Sequence, residues 1–377
     1  MVLGFKSGGC TYNLCEEHKF EVLNQLIIVY SYGWFSRNSR FMTKSVGQPS
    51  YLAQVRRLRA LAVEVAKLYP FKIKALEFIK YSANAIFKIT DTQNKQYVLR
   101  INPIEHHTHQ AILEEIRWLN HITNSTDLLV PKPVKTIDEN YVVKTDIPSN
   151  RFCMVFEWLP GKKRWNSINE QYAYELGTMI AQLQKSGQVI EMQHRNYWLT
   201  EGLAGTDKAR FYNLEQLTDV SIEEQKHITT ARKLVYEQLK QYEMVHKDKT
   251  GVIHSDVQPN NILVHQGHYS VIDFDECGIG FYGDDLAVAL GAFEHVAEGN
   301  KHKSFTKLKE SLFNGYSRYM PLSEEDIQLN PYFMLARRLM TIAWLEAQKN
   351  NPGLRYYYPI AIERAIQFLQ QLDNKKL

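Results

Sequence analysis

Two periodicities divide the chain. Residues 82–89 and 96–101 alternate apolar and polar positions and read as β-strands joined through the polar turn Asp91-Thr92-Gln93-Asn94. Residues 110–121 switch to helical spacing, with Ile112, Ile116 and Leu119 on one face. Val130-Pro131-Lys132-Pro133-Val134 breaks that pattern, because proline lacks a donor and holds its predecessor extended. Strands are predicted over 141–144 and 151–157, ending at Trp158-Leu159-Pro160-Gly161. Beyond this point the pattern is mostly helical: 172–186 carries Leu176, Ile180 and Leu183 on one face, and 222–242 forms a long amphipathic element. A short hairpin over 262–264 and 269–272, turned at Gln266-Gly267, interrupts the helices. Further helices are predicted over 286–297, 303–319, 331–348 and 358–372.

Composition narrows the class. The chain has 377 residues and 44% hydrophobic content, enough for a sizeable core and longer than one usual domain, which suits two lobes around a cleft. Its net charge of +4, from 45 basic and 41 acidic residues, is too small to demand nucleic acid or an anionic membrane. Arg56, Arg57, Arg59 and Lys67 mark a basic helix, read as a solvated face. Cys10, Cys15, Cys153 and Cys277 show no paired metal spacing, so a reduced, cytoplasmic setting is expected. The apolar stretch over 23–35 is interrupted by Asn24, Gln25 and Ser31 and falls short of the roughly 20 residues of a membrane span. Glu16, Glu17 and Glu21 before it do not suit a signal peptide.

The densest chemistry lies in Gly251-Val252-Ile253-His254-Ser255-Asp256-Val257-Gln258-Pro259-Asn260-Asn261-Ile262-Leu263-Val264, followed by Val271-Ile272-Asp273-Phe274-Asp275. Phosphoryl transfer from ATP requires a carboxylate at the acceptor hydroxyl and oxygen ligands for magnesium. Asp256 and Asn261 have the separation of the Asp and Asn in H-R-D-x-x-x-x-N, and the hairpin would return Asp273 beside Asn261. This predicts Asp256 as the catalytic base, with Asn261 and Asp273 as ligands for Mg2+. His254 is read as a brace for this loop through the backbone near Asp273, or as an ordinary buried histidine; neither reading makes it a proton carrier.

The run V-I-H-S-D-V-Q-P-N-N-I-L-V, with V-I-D-F-D-E-C-G-I-G and D-D-L-A, resembles the aminoglycoside/choline kinase-like phosphotransferase family. Asp273-Phe274-Asp275 stands where protein kinases have D-F-G, and no A-P-E element follows. The resemblance begins near Gln48 and implies an α+β, protein-kinase-like bilobal fold, with an antiparallel β-sheet N-lobe and a mostly helical C-lobe. The expected division is an N-terminal extension over 1–41, disordered or untranslated with Met42 as the natural start, then an N-lobe over 42–157 and a C-lobe over 158–377.

The same resemblance places Arg100 at the position usually given to the phosphate-binding Lys. It pairs Arg100 with Glu115, which stands before Trp118, and leaves Glu114 as the alternative. Backbone groups of Glu157, Trp158 and Leu159 would bind adenine, while Met154 and Phe156 line or support the pocket. No G-x-G-x-x-G loop is present; Ser82-Ala83-Asn84-Ala85 takes its place, with Ser82 or Asn84 as phosphate donors. Asp275, Glu276, Asp284 and Glu294 are candidates for holding a cationic acceptor, Asp275 also for ligating metal at the cleft mouth, and Asp285 for capping the helix after it and tying that helix to the catalytic loop. Tyr282 and other C-lobe aromatics read first as core, with an aromatic cage for a choline-like cation as the alternative.

The implied activity is ATP-dependent phosphorylation of a small-molecule hydroxyl, with an aminoglycoside-, choline- or homoserine-like acceptor and ATP and Mg2+ as cofactors. A protein Ser/Thr kinase of the bacterial stress-response type is the alternative. Neither nucleic acid nor a membrane is expected as a partner.

Overall fold

Alternation along a single strand separates two apolar cores. In the computed structural model, which describes residues 51–81, 84–103, 106–145, 150–205, 214–300, 302–348 and 354–374, strand Arg151–Glu157 sends Cys153 and Val155 into one core and Met154 and Phe156 into the other. The expectations for 1–41, Met42 and Ser82 fall outside the described residues.

The first core joins α1 (Tyr51–Ala66) to an antiparallel sheet. Leu58, Leu61 and Val65 recur at helical spacing and pack with Phe87, Ile89, Leu99 and Ile101, while the basic residues of α1 stay on its other face. The sheet contains β1 (Ile73–Tyr81), β2 (Ala85–Asp91), β3 (Gln96–Ile101), β4 (Pro133–Val134), β5 (Val143–Thr145) and β6 (Arg151–Glu157). Its order is β1-β2-β3-β6-β4, with β5 also on β6. β2 and β3 are the predicted pair, but β1 was absent from the sequence expectation. Its charged and half-exposed residues give no clean alternation, and register shifts at Ile73/Ala75 and Phe78/Lys80 break the period.

α2 (His109–Ser125) crosses behind this sheet, launched by Thr108, whose hydroxyl accepts from Ala111 N–H. Ile112, Ile116, Trp118, Leu119 and Ile122 bury it in the second core, with the helices that follow.

That second core is helical. It contains α3 (Glu170–Gly187), α5 (Ile222–Val245), α6 (Tyr282–Glu298), α7 (Phe305–Ser317), α8 (Glu324–Ala347) and α9 (Tyr357–Asp373), with the short α4 (Thr200–Ala204) between α3 and α5. Between them run β7 (Asn196–Trp198), β8 (Thr250–Ile253), β9 (Ile262–His265), β10 (His268–Val271) and β11 (Gly278–Phe281). β7-β11-β8 form one small sheet and β10-β9 the predicted hairpin. Gln266 and Gly267 both adopt positive φ, 48° and 83°, as a two-residue turn between twisted strands requires.

α8 starts seven residues before the predicted position, and Pro331 lies inside it. The reciprocal box of Ser323 and Asp326 fixes its start, and that anchoring outweighs the lost proline donor. The antiparallel N-lobe sheet and helical C-lobe agree with the fold expected from the sequence. Among the described residues, no helix is long and apolar enough to cross a membrane.

Candidate active site

β8 leads directly into the loop that carries Asp256. Two backbone donors of the loop, His254 N–H at 3.2 Å and Ser255 N–H at 2.7 Å, reach the carboxylate of Asp285 in the first turn of α6. Gln184 Nε2 donates to the same carboxylate at 3.1 Å, and Tyr316 OH donates to Gln184 Oε1 at 2.6 Å. Asp285 therefore ties α6 to the catalytic loop as expected, but it does not cap the helix. Burial pushes its pKa up to about 6 despite the Gln184 bond.

His254 braces the loop from inside. Its Nδ1 accepts from Asp256 N–H at 3.2 Å, which leaves Nε2–H to donate to Ile272 C=O at 3.2 Å. Burial drives its pKa down to about 3, so the ring is neutral. Phe274 wedges between this ring, 4.5 Å away, and the indole of Trp118, 5.3 Å away.

These contacts have a consequence for acid stability. Below pH 6.5 the unfolded chain protonates His254, whereas the folded chain does so only near pH 3, so the stability His254 supplies above pH 6.5 is lost as the pH falls through that window. The slope contributed is at most about 1.4 kcal/mol per pH unit. His254→Gln keeps a donor for Ile272 without a titrating ring. Its melting temperature is expected to fall less steeply than that of the native protein between pH 6 and about 4. Parallel curves from thermal melts would show that another group controls the acid limb.

Asp256 itself is held on both oxygens. Gln258 Nε2 donates to Oδ1 and Asn261 Nδ2 to Oδ2, each at 2.6 Å. Burial raises its pKa to about 8, against the opposing effects of Gln258 and the Arg337 charge. The hairpin β9-β10 then reverses the chain, and Ile272 N–H donates to Asn261 C=O at 2.9 Å, which sets Asp273 beside Asn261. Ser255 and Asp273 both adopt left-handed φ, 66° and 74°, a cost of roughly 1–3 kcal/mol each that the surrounding bonds sustain.

Asp273 lines a cleft of about 380 Å³ between the sheet and the helical lobe. Arg100, Glu115, Phe156, Glu157, Trp158 and Leu159 line it too. Arg100 and Glu115 form the predicted pair, a bidentate contact with Nη1–Oε1 at 2.8 Å and Nη2–Oε2 at 2.7 Å. Glu114 instead receives Gln193 N–H and His194 N–H and pins the segment before β7. Met154 supports the pocket from behind, its sulfur 3.0 Å from Arg100 Nη2. Two of the three hinge N–H groups are committed to protein: Glu157 N–H to Lys132 C=O at 2.9 Å and Trp158 N–H to Gln96 C=O at 3.1 Å.

The acidic residues expected to hold an acceptor are each engaged by a partner within the protein. Asp275 is buried and receives Asn84 Nδ2 at 3.0 Å and Asn102 Nδ2 at 3.3 Å, with His106 and His107 nitrogens at 3.3 and 3.4 Å. Those contacts, with Arg100 3.9 Å away, hold its pKa well below the usual carboxylate range. Asp275 therefore links the C-lobe to the end of β3 and the loops flanking β2 and β3. Asn84, expected to face a phosphate, gives an amide N–H to this link.

Glu276 accepts from Asn196 Nδ2 at 3.0 Å. Asp284 forms a buried pair with Arg337, and Glu294 pairs with Arg338 in the helical bundle. Tyr282 belongs to the helical core.

Two arginines escaped the sequence reading. Arg195 Nε donates to Cys277 C=O at 2.9 Å and its Nη2 to Phe274 C=O at 3.1 Å, while Nη1 lies 3.6 Å from Glu115. Arg337 joins Asp284 to Ser255 Oγ, the latter at 2.7 Å. Neither lies in a motif, and their partners are far off in the chain.

Comparison with known proteins agrees with this geometry. The family model described as "Phosphotransferase enzyme family" matches residues 77–321. An uncharacterised protein of Deinococcus radiodurans is 24% identical over 325 residues, covering 84% of this chain and 90% of its own. One from Synechocystis sp. is 22% identical over 246 residues, covering 62% of this chain; the match spans 63% of that relative, less than two thirds of its length.

Among solved structures, a microcompartment-associated aminopropanol kinase is similar with TM-score 0.68 and 25% identity, covering 83% of this chain and 94% of that one. The amicoumacin kinase hAmiN has TM-score 0.69 and 17% identity, covering 84% and 96%. A choline kinase from Cryptosporidium parvum has TM-score 0.59 and 14% identity, covering 85% and 97%. Fold, motif spacing and a family match over most of the described chain converge: the protein belongs to the phosphotransferase enzyme family, on the kinase-like scaffold that its sequence resembles.

Proposed function

We propose that this protein transfers the γ-phosphate of ATP to a hydroxyl of a small molecule. The observation that carries this reading is Asp273, which lines a cleft walled by an Arg–Glu pair and an interlobe hinge, set by the hairpin beside Asn261, whose amide holds Asp256. Adenine would take Leu159 N–H, because the neighbouring hinge donors are occupied. Arg100 gives one N–H of each terminal nitrogen to Glu115, and its buried Nε, which has no partner among the described residues, is a further donor for a phosphate oxygen.

The donor set suits magnesium. Asn261 gives its amide nitrogen to Asp256, so its carbonyl oxygen is the atom left for a cation. Burial, together with Asp275 and Glu276, raises the Asp273 pKa well above normal, so this carboxylate gains from a cation beside it. Both are hard oxygen ligands. Magnesium held there would offset phosphate charge and orient the nucleotide. Asp256 would accept the proton of the attacking hydroxyl; its pKa, raised to about 8, makes its ionised form a stronger base than an ordinary carboxylate.

A small acceptor is supported by the names of two similar structures, an aminopropanol kinase and an amicoumacin kinase. The test is incubation with ATP, magnesium and a metabolite extract from which proteins have been removed, read by mass spectrometry. A magnesium-dependent gain of one phosphoryl group on a defined metabolite is expected. Label appearing only on added protein would replace this reading with a protein kinase.

A further inference from the structure

A nucleotide triphosphate brings about four negative charges into the cleft, and the arginine at the family's lysine position has little left to offer them. Both its terminal nitrogens are fixed by Glu115, and the residue is only 6% exposed. The remaining cations lining the cleft, among the described residues, are Lys80, Lys162 and Lys163. Only Lys80 forms a described ion pair with an active-site carboxylate: its Nζ lies 3.8 Å from Asp273 Oδ2.

Lys80 comes from the C-terminal end of β1, the edge strand missed in the sequence. The register shift between Phe78 and Lys80 falls immediately before it, and such a bulge re-aims the side chain that follows. At 3.8 Å the contact with Asp273 is an ion pair longer than a hydrogen bond. Its side chain is 37% exposed on the wall of the cleft.

We propose that Lys80 is a second phosphate-binding residue of this protein, a cation supplied by β1 that rests against Asp273 in the free cleft and turns to a β- or γ-phosphate oxygen when nucleotide binds. This rests on the nucleotide reading above. A compact ammonium on a flexible stem suits a point-charge contact to phosphate, whereas the Arg100 fork is immobilised as a wall. The division of work follows: Arg100 and Glu115 hold α2 against β3, and Lys80 supplies the charge that such a fixed arginine cannot bring forward.

Equilibrium titration of adenosine, ADP and ATP with magnesium tests this, followed by calorimetry so that no turnover is required. Lys80→Ala is expected to weaken ATP binding about ten-fold or more, to weaken ADP less and to leave adenosine unchanged, as loss of one charge-assisted phosphate contact demands. Lys80→Arg should recover most of the ATP affinity. An unchanged melting temperature for both variants excludes misfolding as the cause.

ATP binding to Lys80→Ala as tight as to the native protein, or tighter, would overturn the proposal; the ammonium would then be only a counter-charge for Asp273. Equal loss across all three ligands would also overturn it, since adenosine has no phosphate. Failure of the native protein to bind any of the three would instead remove the nucleotide reading on which the proposal rests.

Discussion

Asp256→Ala is expected to lower turnover by about 10²–10⁴-fold, the usual worth of a positioned general base, while ATP affinity changes little. Gln258 and Asn261 fix both oxygens of this carboxylate and burial raises its pKa to about 8. Below that pH the free enzyme holds Asp256 protonated, a form that cannot accept the acceptor's proton. The value of kcat/KM should therefore rise with pH and level off above about 8, since this ratio reports the free enzyme. Asp256→Asn keeps the shape and removes the base, so the residual activity should lose that limb. Turnover in Asp256→Ala within two-fold of the native rate would show that Asp256 is not the base, whatever its placement.

Loss of the Arg337 guanidinium should produce the largest fall in stability. Arg337 donates through Nε to Asp284 Oδ1 at 2.7 Å and through Nη2 to Ser255 Oγ at 2.7 Å, and the Asp284 carboxylate it faces is wholly buried. Arg337→Met fills similar space but leaves that carboxylate without its partner, which costs about 3–5 kcal/mol. Differential scanning calorimetry should show the melting temperature falling by on the order of 10 °C.

Activity should fall as well, because Ser255 holds a left-handed φ of 66° immediately before Asp256 and loses the bond that helps keep it there. Adding Asp284→Asn to Arg337→Met removes the stranded charge and should restore much of the stability but less of the activity. A single variant as stable as the native protein would mean that Asp284 is relieved by another group.

The parts of this site that lie close together in the chain are legible without coordinates. Asp256, Asn261 and Asp273 fall within one strand, loop and hairpin, so local turn geometry alone constrains their spacing. Arg100 and Glu115 needed only the family's strand-and-helix order, and the bidentate pair follows from it. His254 could be assigned to bracing because its position in the loop limits what it can reach.

The partners of the acidic residues were hidden for the opposite reason. Asp275, Glu276, Asp284 and Glu294 look alike in sequence, as charges near a catalytic motif. Their partners come from Asn84, Asn196, Arg337 and Arg338, separated from them by 191, 80, 53 and 44 residues. Strand β1 and Lys80 were hidden likewise, because bulges and charged side chains erase the alternation that marks a strand.

Most of the long helices, the hairpin and the spacing of the three polar residues could be read from the chain alone, since these depend on periodicity and on bonds between near neighbours. Only the tertiary structure decided which charges are spent on holding the lobes and which face the cleft. An ionic or hydrogen-bonded pair is chosen by proximity in space and by burial, and neither is encoded in the distance along the chain.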